Sequence, residues 1–179
     1  MIKYFQGVSL DTIDAYMLER MRNWRNDPRI WQYCRQHDLI PEGDHRDWFE
    51  RQRKDPTIRM YAVLDTEGRP SGVCGLTELD MLNRRAEFSL YIDPDRQGKG
   101  LGKKALQTLL THGFKNLGLN KIWGEVFDGN PAMTMFTELG MHYAGKLVDH
   151  YFRDGKFINA HRVEMTRDEW DRLHGSWSE

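Results

Sequence analysis

Residues 96–102 read RQGKGLG. They stand between an alternating run, Ala86-Glu87-Phe88-Ser89-Leu90-Tyr91-Ile92, and a helical spacing carried by Leu101, Ala105, Leu109, Gly113 and Phe114. A strand that runs into Gly98, Gly100 and Gly102 and then opens a helix aims several backbone N–H groups, and the positive end of the helix dipole, at one small volume. That volume suits a phosphate. Glycine serves there because a side chain would hold the anion off the backbone or resist the φ > 0 angles of the turn. Lys99, Lys103 and Lys104 add positive charge. The Walker spacing is excluded, since no Ser or Thr follows the lysines, and the dinucleotide fingerprint would need a third glycine at Lys103. What remains is Gln97-x-x-Gly100-x-Gly102, preceded by Asp93-Pro94.

Working outward, residues 86–92 alternate so that Glu87, Ser89 and Tyr91 share one face of a strand and Ala86, Phe88, Leu90 and Ile92 the other. Upstream, residues 58–64 and 72–79 read as two further strands joined by the turn Thr66-Glu67-Gly68-Arg69-Pro70. Before them the period is helical. Asp11 is expected to cap a helix carrying Ile13, Tyr16, Met17, Met21 and Trp24, and Asp27-Pro28 to open a second holding Ile30, Trp31 and Cys34. Residues 2–5 read as a short strand, 41–44 as a loop and 45–54 as a third helix. Downstream, the helix after the glycines ends near Gly118. A strand over 121–127, a helix over 131–139 after Asn130, and a hairpin of strands 141–153 and 157–165 turning at Asp154-Gly155 complete the chain. The order predicts an α/β fold: a mixed, mostly antiparallel central sheet flanked by helices, as a single domain over residues 1–179.

Composition narrows the function. With 179 residues, 39% of them hydrophobic, the chain can bury a sizeable core. The net charge of −1, without long blocks of like charge, gives no support to nucleic-acid or membrane partners. Cys34 and Cys74 lie far apart with no CxxC spacing, and the N-terminus has no apolar leader. Both point to a reducing, cytoplasmic setting. His37 and His45 stand eight residues apart with no carboxylate or cysteine at ligand spacing, so no metal is expected.

The stretches NRRAEFSLYIDPDRQGKGLGKKAL, GFKNLGLNKIWGEVFDGNPAMTMFTELGM and DHYFRDGKFINAHRVEMTRDEW together resemble the GCN5-related N-acetyltransferase (GNAT) superfamily, in the branch of ribosomal-protein N-terminal and spermidine N-acetyltransferases. WRNDPRI followed by HRDWFER resembles amino-sugar nucleotide acetyltransferases. The resemblance implies acetyl-coenzyme A as co-substrate, held by Gln97, Gly98, Lys99, Gly100, Leu101, Gly102 and Lys103, with Tyr91 and Ile92 beside the thioester and Asn130 and Phe136 as further contacts. It also implies a backbone N–H near Tyr91 or Ile92 that bonds the thioester oxygen where two strands splay.

An ammonium acceptor must lose a proton before it can attack. Glu87 is the first candidate base and Glu78, on the neighbouring strand, the second; an ion pair with Arg84 or Arg85 is the competing account of Glu87. In many relatives a tyrosine protonates the departing sulfur. Here the matching residue is Phe136, which cannot: either the thiolate leaves with help from water or another hydroxyl, Thr137 and Tyr143 being nearby in sequence, or the acid step is not required. For the acceptor, Trp24, Arg25, Asn26, Trp31, His37, His45 and Trp48 gather polar and aromatic groups, although tryptophans also pack helices onto sheets. His150, from the cluster His142, His150 and His161, is a second possible proton acceptor. A small-molecule amine, a polyamine or amino sugar, is the expected acceptor. A protein N-terminus and a non-catalytic acetyl-coenzyme A-binding module are the alternatives. Tyr151 and Phe152 offer a homodimer contact.

Overall fold

The computed structural model describes residues 1–36 and 38–175; His37, named above, lies outside them. The strands are β1 (Ser9–Asp11), β2 (Arg59–Leu64), β3 (Pro70–Asp80), β4 (Arg85–Ile92), β5 (Lys121–Phe127), β6 (His142–Arg153) and β7 (Lys156–Thr166). They form one sheet in the order β1-β2-β3-β4-β5-β7-β6, antiparallel at every pairing except β4 with β5. The helices are α1 (Ala15–Arg25), α2 (Pro28–Trp31), α3 (Glu42–Gln52), α4 (Leu101–Lys115), α5 (Ala132–Glu138) and α6 (Arg167–His174).

Alternation along the strands divides the core between two faces. Ala86 and Phe88 of β4 join Leu106, Leu109, Leu110 and Phe114 of α4, Phe136 of α5 and Trp170 of α6 in one buried cluster. On the other face, Met17, Met21 and Trp24 of α1 cover Ala62 and Val73, with Tyr91 packed against them. Glu87 therefore belongs to the face roofed by α1 to α3, away from α4.

Four expectations are corrected. Residues 2–5 form no strand; Ile2 makes an isolated bridge to Leu10. The cap of α1 is Asp14, whose carboxylate accepts from the Met17 N–H at 2.7 Å, because Asp11 is consumed as the last residue of β1. Helix α3 begins at Glu42, so the expected loop 41–44 is mostly first turn, with Glu42 and Asp44 favourably placed at the positive dipole end. Helix α6 was not anticipated. Its start was written in Thr166-x-x-Glu169, a capping box in which each side chain satisfies the other's backbone N–H. No helix among the described residues is long and apolar enough to cross a membrane.

Candidate active site

The glycine loop follows β4 through a short 3-10 turn, Pro94–Arg96, held by the Asp93 carboxylate accepting from Asp95 N–H at 3.0 Å. Arg96 anchors its near end to the β2–β3 turn, donating to Asp65 at 2.6 Å and to the Ser71 hydroxyl oxygen at 2.7 Å. Gly98 and Gly100 adopt φ of 75° and 72°, and a Cβ on either would meet no atom within 4 Å. They are therefore required by conformation, and the volume above them is open. The first α4 hydrogen bond runs from Lys104 N–H to Gly100 O at 3.3 Å, so the N–H groups of Leu101, Gly102 and Lys103 face out of the helix end. Lys103 Nζ reaches Glu138 at 3.0 Å, joining α4 to α5. This N-terminal end of a 15-residue helix is built to receive an anion.

Beside it the sheet forks. β4 and β5 pair only at Arg85↔Lys121, Ala86↔Ile122 and Glu87↔Trp123. Beyond those pairs β4 continues on β3 as far as Ile92, and β5 continues on β7 as far as Phe127, with no pairing between them. A wedge of side chains accompanies the fork. The Phe88 ring lies so close over Gly124 that a methyl there would enter it, and Phe136 packs on Phe88 at 5.2 Å between ring centroids. Glu87 stands at the last pair before the strands part.

Glu87 is 5% exposed and has an unexpected partner. Arg35, in the segment after α2, grips both of its oxygens, with Nη1 3.0 Å from Oε2 and Nη2 on Oε1. The same Nη2 lies 3.2 Å from Oε2 of Glu125, whose side chain is also 5% exposed. Glu125 further accepts from the Tyr151 hydroxyl at 2.5 Å and Arg162 Nη2 at 2.7 Å, while His150 Nε2 stands at 4.0 Å. Burial would raise the Glu125 pKa, but the bonds from Tyr151 and Arg162 and the charges of Arg35 and Arg162 outweigh it and hold the carboxyl below its ordinary value. Burial, then the bond to Glu125, pushes Tyr151 up to about 12, so its hydroxyl remains a donor at neutral pH. Burial works against the charge of Arg35, and its bonds to Glu87 more than restore it.

Above these groups lies a cavity of about 840 Å³ whose lining includes Arg35, Glu78, Trp123, Glu125, His150 and Arg162. The Arg162 guanidinium covers the Trp123 ring at 4.1 Å. Glu78 is exposed at a β3 irregularity with φ 49°. Neither arginine proposed as the partner of Glu87 holds it: Arg85 bonds Asp80 at 3.3 Å, and Arg84 sits in the preceding turn with φ 55°.

The remaining candidates serve other ends. Trp24 is 7% exposed in the α1 core, and Phe136 is 5% exposed in the α4 core. Asn26 uses its amide to clamp Ile40, accepting from its N–H at 2.9 Å and donating to its carbonyl at 3.1 Å. Arg25 lies over Tyr91, and Trp31 lies beneath Arg153, whose guanidinium donates to the carbonyl oxygens of Trp31, at 2.6 Å, and Gln32. His45 stacks on Trp48, and burial, with Arg22 and Arg25 nearby, depresses it to about 4. Asn130 accepts from the Ala132 N–H at 2.9 Å at the start of α5, and Gln97 Nε2 lies 3.4 Å from the Ile92 carbonyl. Tyr143 shares its hydroxyl with His161 Nδ1 at 3.2 Å, and His161 Nε2 meets Asp128. Its strand partner Val163 is in the α4-side core, so Tyr143 faces opposite to Glu87. Of the described residues expected at the acceptor, only His150 lines the cavity with Glu78; Arg35, Trp123, Glu125, Tyr151 and Arg162 were missed. A charged residue inside the apolar run of β5 was the available signal for Glu125.

A profile of the Acetyltransferase (GNAT) domain family matches residues 8–142. The spermidine N(1)-acetyltransferase of Escherichia coli K12 is 32% identical over 169 residues, 94% of this chain and 90% of the relative. A Bacillus subtilis protein provisionally named a ribosomal N-acetyltransferase is 28% identical over 121 residues, covering 63% of this chain and 66% of its own. Among solved structures, spermidine N-acetyltransferase from Vibrio cholerae in complex with CoA and spermine superposes with a TM-score of 0.87 at 25% identity, over 92% of this chain and 98% of that one.

Proposed function

The chain belongs to the GNAT acetyltransferase family, and from that membership we propose that it moves an acetyl group from acetyl-coenzyme A to a primary amine of a small polycationic acceptor by direct attack. One observation carries the proposal: the fork between β4 and β5 has Glu87 at its root and the anion-receiving end of α4 beside its mouth. The acceptor class rests on the cavity on the Glu87 face, lined by Glu78, Asp80 and Glu125, and on the spermidine acetyltransferases to which the chain is similar.

The coenzyme supplies an acyl carbon activated as a thioester. The N–H groups of Leu101, Gly102 and Lys103 and the loop of Gln97, Gly98, Lys99 and Gly100 hold its pyrophosphate, while Asn130 flanks its far side. The backbone N–H of Ile92, freed where β4 leaves β5, bonds the thioester oxygen as charge develops on it; that of Tyr91 points to β3, as the Asp93 N–H does to the Ser71 carbonyl. Glu87 takes the proton from the acceptor nitrogen, directly or through a water, as the N–C bond forms and the C–S bond breaks. Glu87 acts from the face roofed by α1 to α3, and Tyr143, on the opposite face and backed by His161 and Asp128, returns a proton to sulfur. Residues 1–179 work as one catalytic domain of the cytoplasm. A homodimer forms through the hairpin tip, where Phe152 and Phe157 are 63% and 64% exposed with ring centroids 5.1 Å apart; Tyr151, expected there with Phe152, instead gives its hydroxyl to Glu125.

Thiol release from acetyl-coenzyme A over a panel of polyamines, amino sugars and peptides tests the reading. Polyamines are expected to turn over fastest, and coenzyme binding with no turnover across the panel would sink it. Glu87→Gln should lower kcat by about 100-fold or more with binding of acetyl-coenzyme A retained. An unchanged kcat would reject Glu87 as base.

A further inference from the structure

We propose that Arg35 occupies the acceptor's own cation site, and that a diamine displaces it and is held with one nitrogen at Glu87 and its second ammonium at Glu125; this rests on the transfer reaction given above. The Arg35 guanidinium spans the two carboxylates, 3.0 Å from Glu87 Oε2 and 3.2 Å from Glu125 Oε2, and both acidic side chains are nearly closed to water. A planar cation therefore already fills the space between them.

The grip opposes the role of Glu87. A guanidinium bound at both oxygens takes one lone pair of each, and its bulk fills the space between Glu87 and Glu125 that an incoming amine must enter. The amine reaches that space once Arg35 leaves, and Arg35 is placed to do so. It is 45% exposed and lies outside any helix or strand, whereas the chain on either side is tied down by Arg153 at Trp31 and Gln32 and by Asn26 at Ile40.

The two carboxylates are left in different states by its departure. Glu125 keeps Tyr151 at 2.5 Å and Arg162 at 2.7 Å and stays charged. Among the described residues, Glu87 keeps only the Thr77 hydroxyl, at 3.5 Å. Glu87 is then a buried carboxylate without its cation, which is costly, and Arg162 alone balances Glu125, so the site opens only for a ligand that brings positive charge. A monoamine cannot serve both ends, because its single nitrogen must be neutral to attack. A diamine can: one nitrogen gives its proton to Glu87 and attacks, and the other keeps its proton at Glu125. The second carboxylate thus selects acceptors with two amino groups and leaves singly charged amines poor substrates.

Steady-state kinetics with spermidine and with butylamine test this, supported by calorimetric titration of spermidine without acetyl-coenzyme A. Glu125→Gln, which keeps an acceptor oxygen for Tyr151 and Arg162, should lower kcat/KM for spermidine about 30-fold through KM, and that for butylamine less than about threefold. Arg35→Ala should lower the KM and the dissociation constant of spermidine about fivefold, since no internal cation then competes. If Arg35→Ala does not fold, Arg35→Lys, which lacks the planar fork, carries the same expectation at smaller amplitude. Equal losses for both amines in Glu125→Gln, or weaker spermidine binding in Arg35→Ala, would overturn the proposal. The transfer reading fails separately, if the wild type acetylates no amine. In that event the calorimetric ranking, tighter in Arg35→Ala and weaker in Glu125→Gln, still decides the site, and wild-type transfer that ignores the second amine removes the inference and leaves the enzyme.

Discussion

A methyl group on Gly100 would touch nothing within 4 Å, yet it would have to live at φ 72°. Gly100→Ala is therefore expected to act through conformation: a loss of about 1 kcal/mol in stability and a severalfold higher KM for acetyl-coenzyme A, with the acceptor KM unmoved. Chemical denaturation and two-substrate kinetics check both halves. Glu87 shows how far single residues can be read from the chain. Strict alternation in β4 assigned its face, because a period of two leaves little freedom. Its partner was out of reach: Arg35 lies 52 positions away on a segment without regular structure, and no local pattern encodes such a contact. Phe136 was legible as a departure from the family's tyrosine; its burial against Phe88 adds that the position presents an apolar ring to the core.

Elements were legible where their period was long and their ends were punctuated. The β2 to β4 meander, α4 and the final hairpin follow directly from alternation, helical spacing and the turns at Gly68 and Asp154-Gly155. Ends decided by competition were harder. Asp11 and Asp14 are both good caps, and only pairing of β1 with β2, Asp11 opposite Ala62, removes the first from contention. The eight-residue α6 escaped notice because its apolar content is nearly confined to Trp170, and its box at Thr166 and Glu169 was the readable mark. Thr166→Ala should cost about 1 kcal/mol, seen as a lower denaturant midpoint with an unchanged slope. The fork was implied by the family resemblance and not by the residues themselves, since it depends on Phe88 meeting Gly124 across two strands whose separate patterns are ordinary.

At the scale of the molecule, the proposed acceptor and donor sites are divided between the two sides of one sheet. The α1 to α3 layer roofs the carboxylate face, and the α4 to α6 layer fills the other. Aromatic residues in the first half were expected to line a pocket; most build the roof, and the charged lining comes from Arg35 and from Glu78, Asp80, Arg85, Glu125 and Arg162 on β3, β4, β5 and β7. The fork has a further consequence. β4 shares seven residue pairs with β3, and β5 seven with β7, but the two share only three with each other. The sheet is thus sewn as two panels along a short seam, with α4 laid across it. In dilute denaturant, native-state hydrogen exchange should resolve two cooperative units, β1 to β4 and β5 to β7, each releasing its amides together and at its own denaturant dependence. A single shared isotherm would mean that the helix binds the panels more tightly than their short seam suggests.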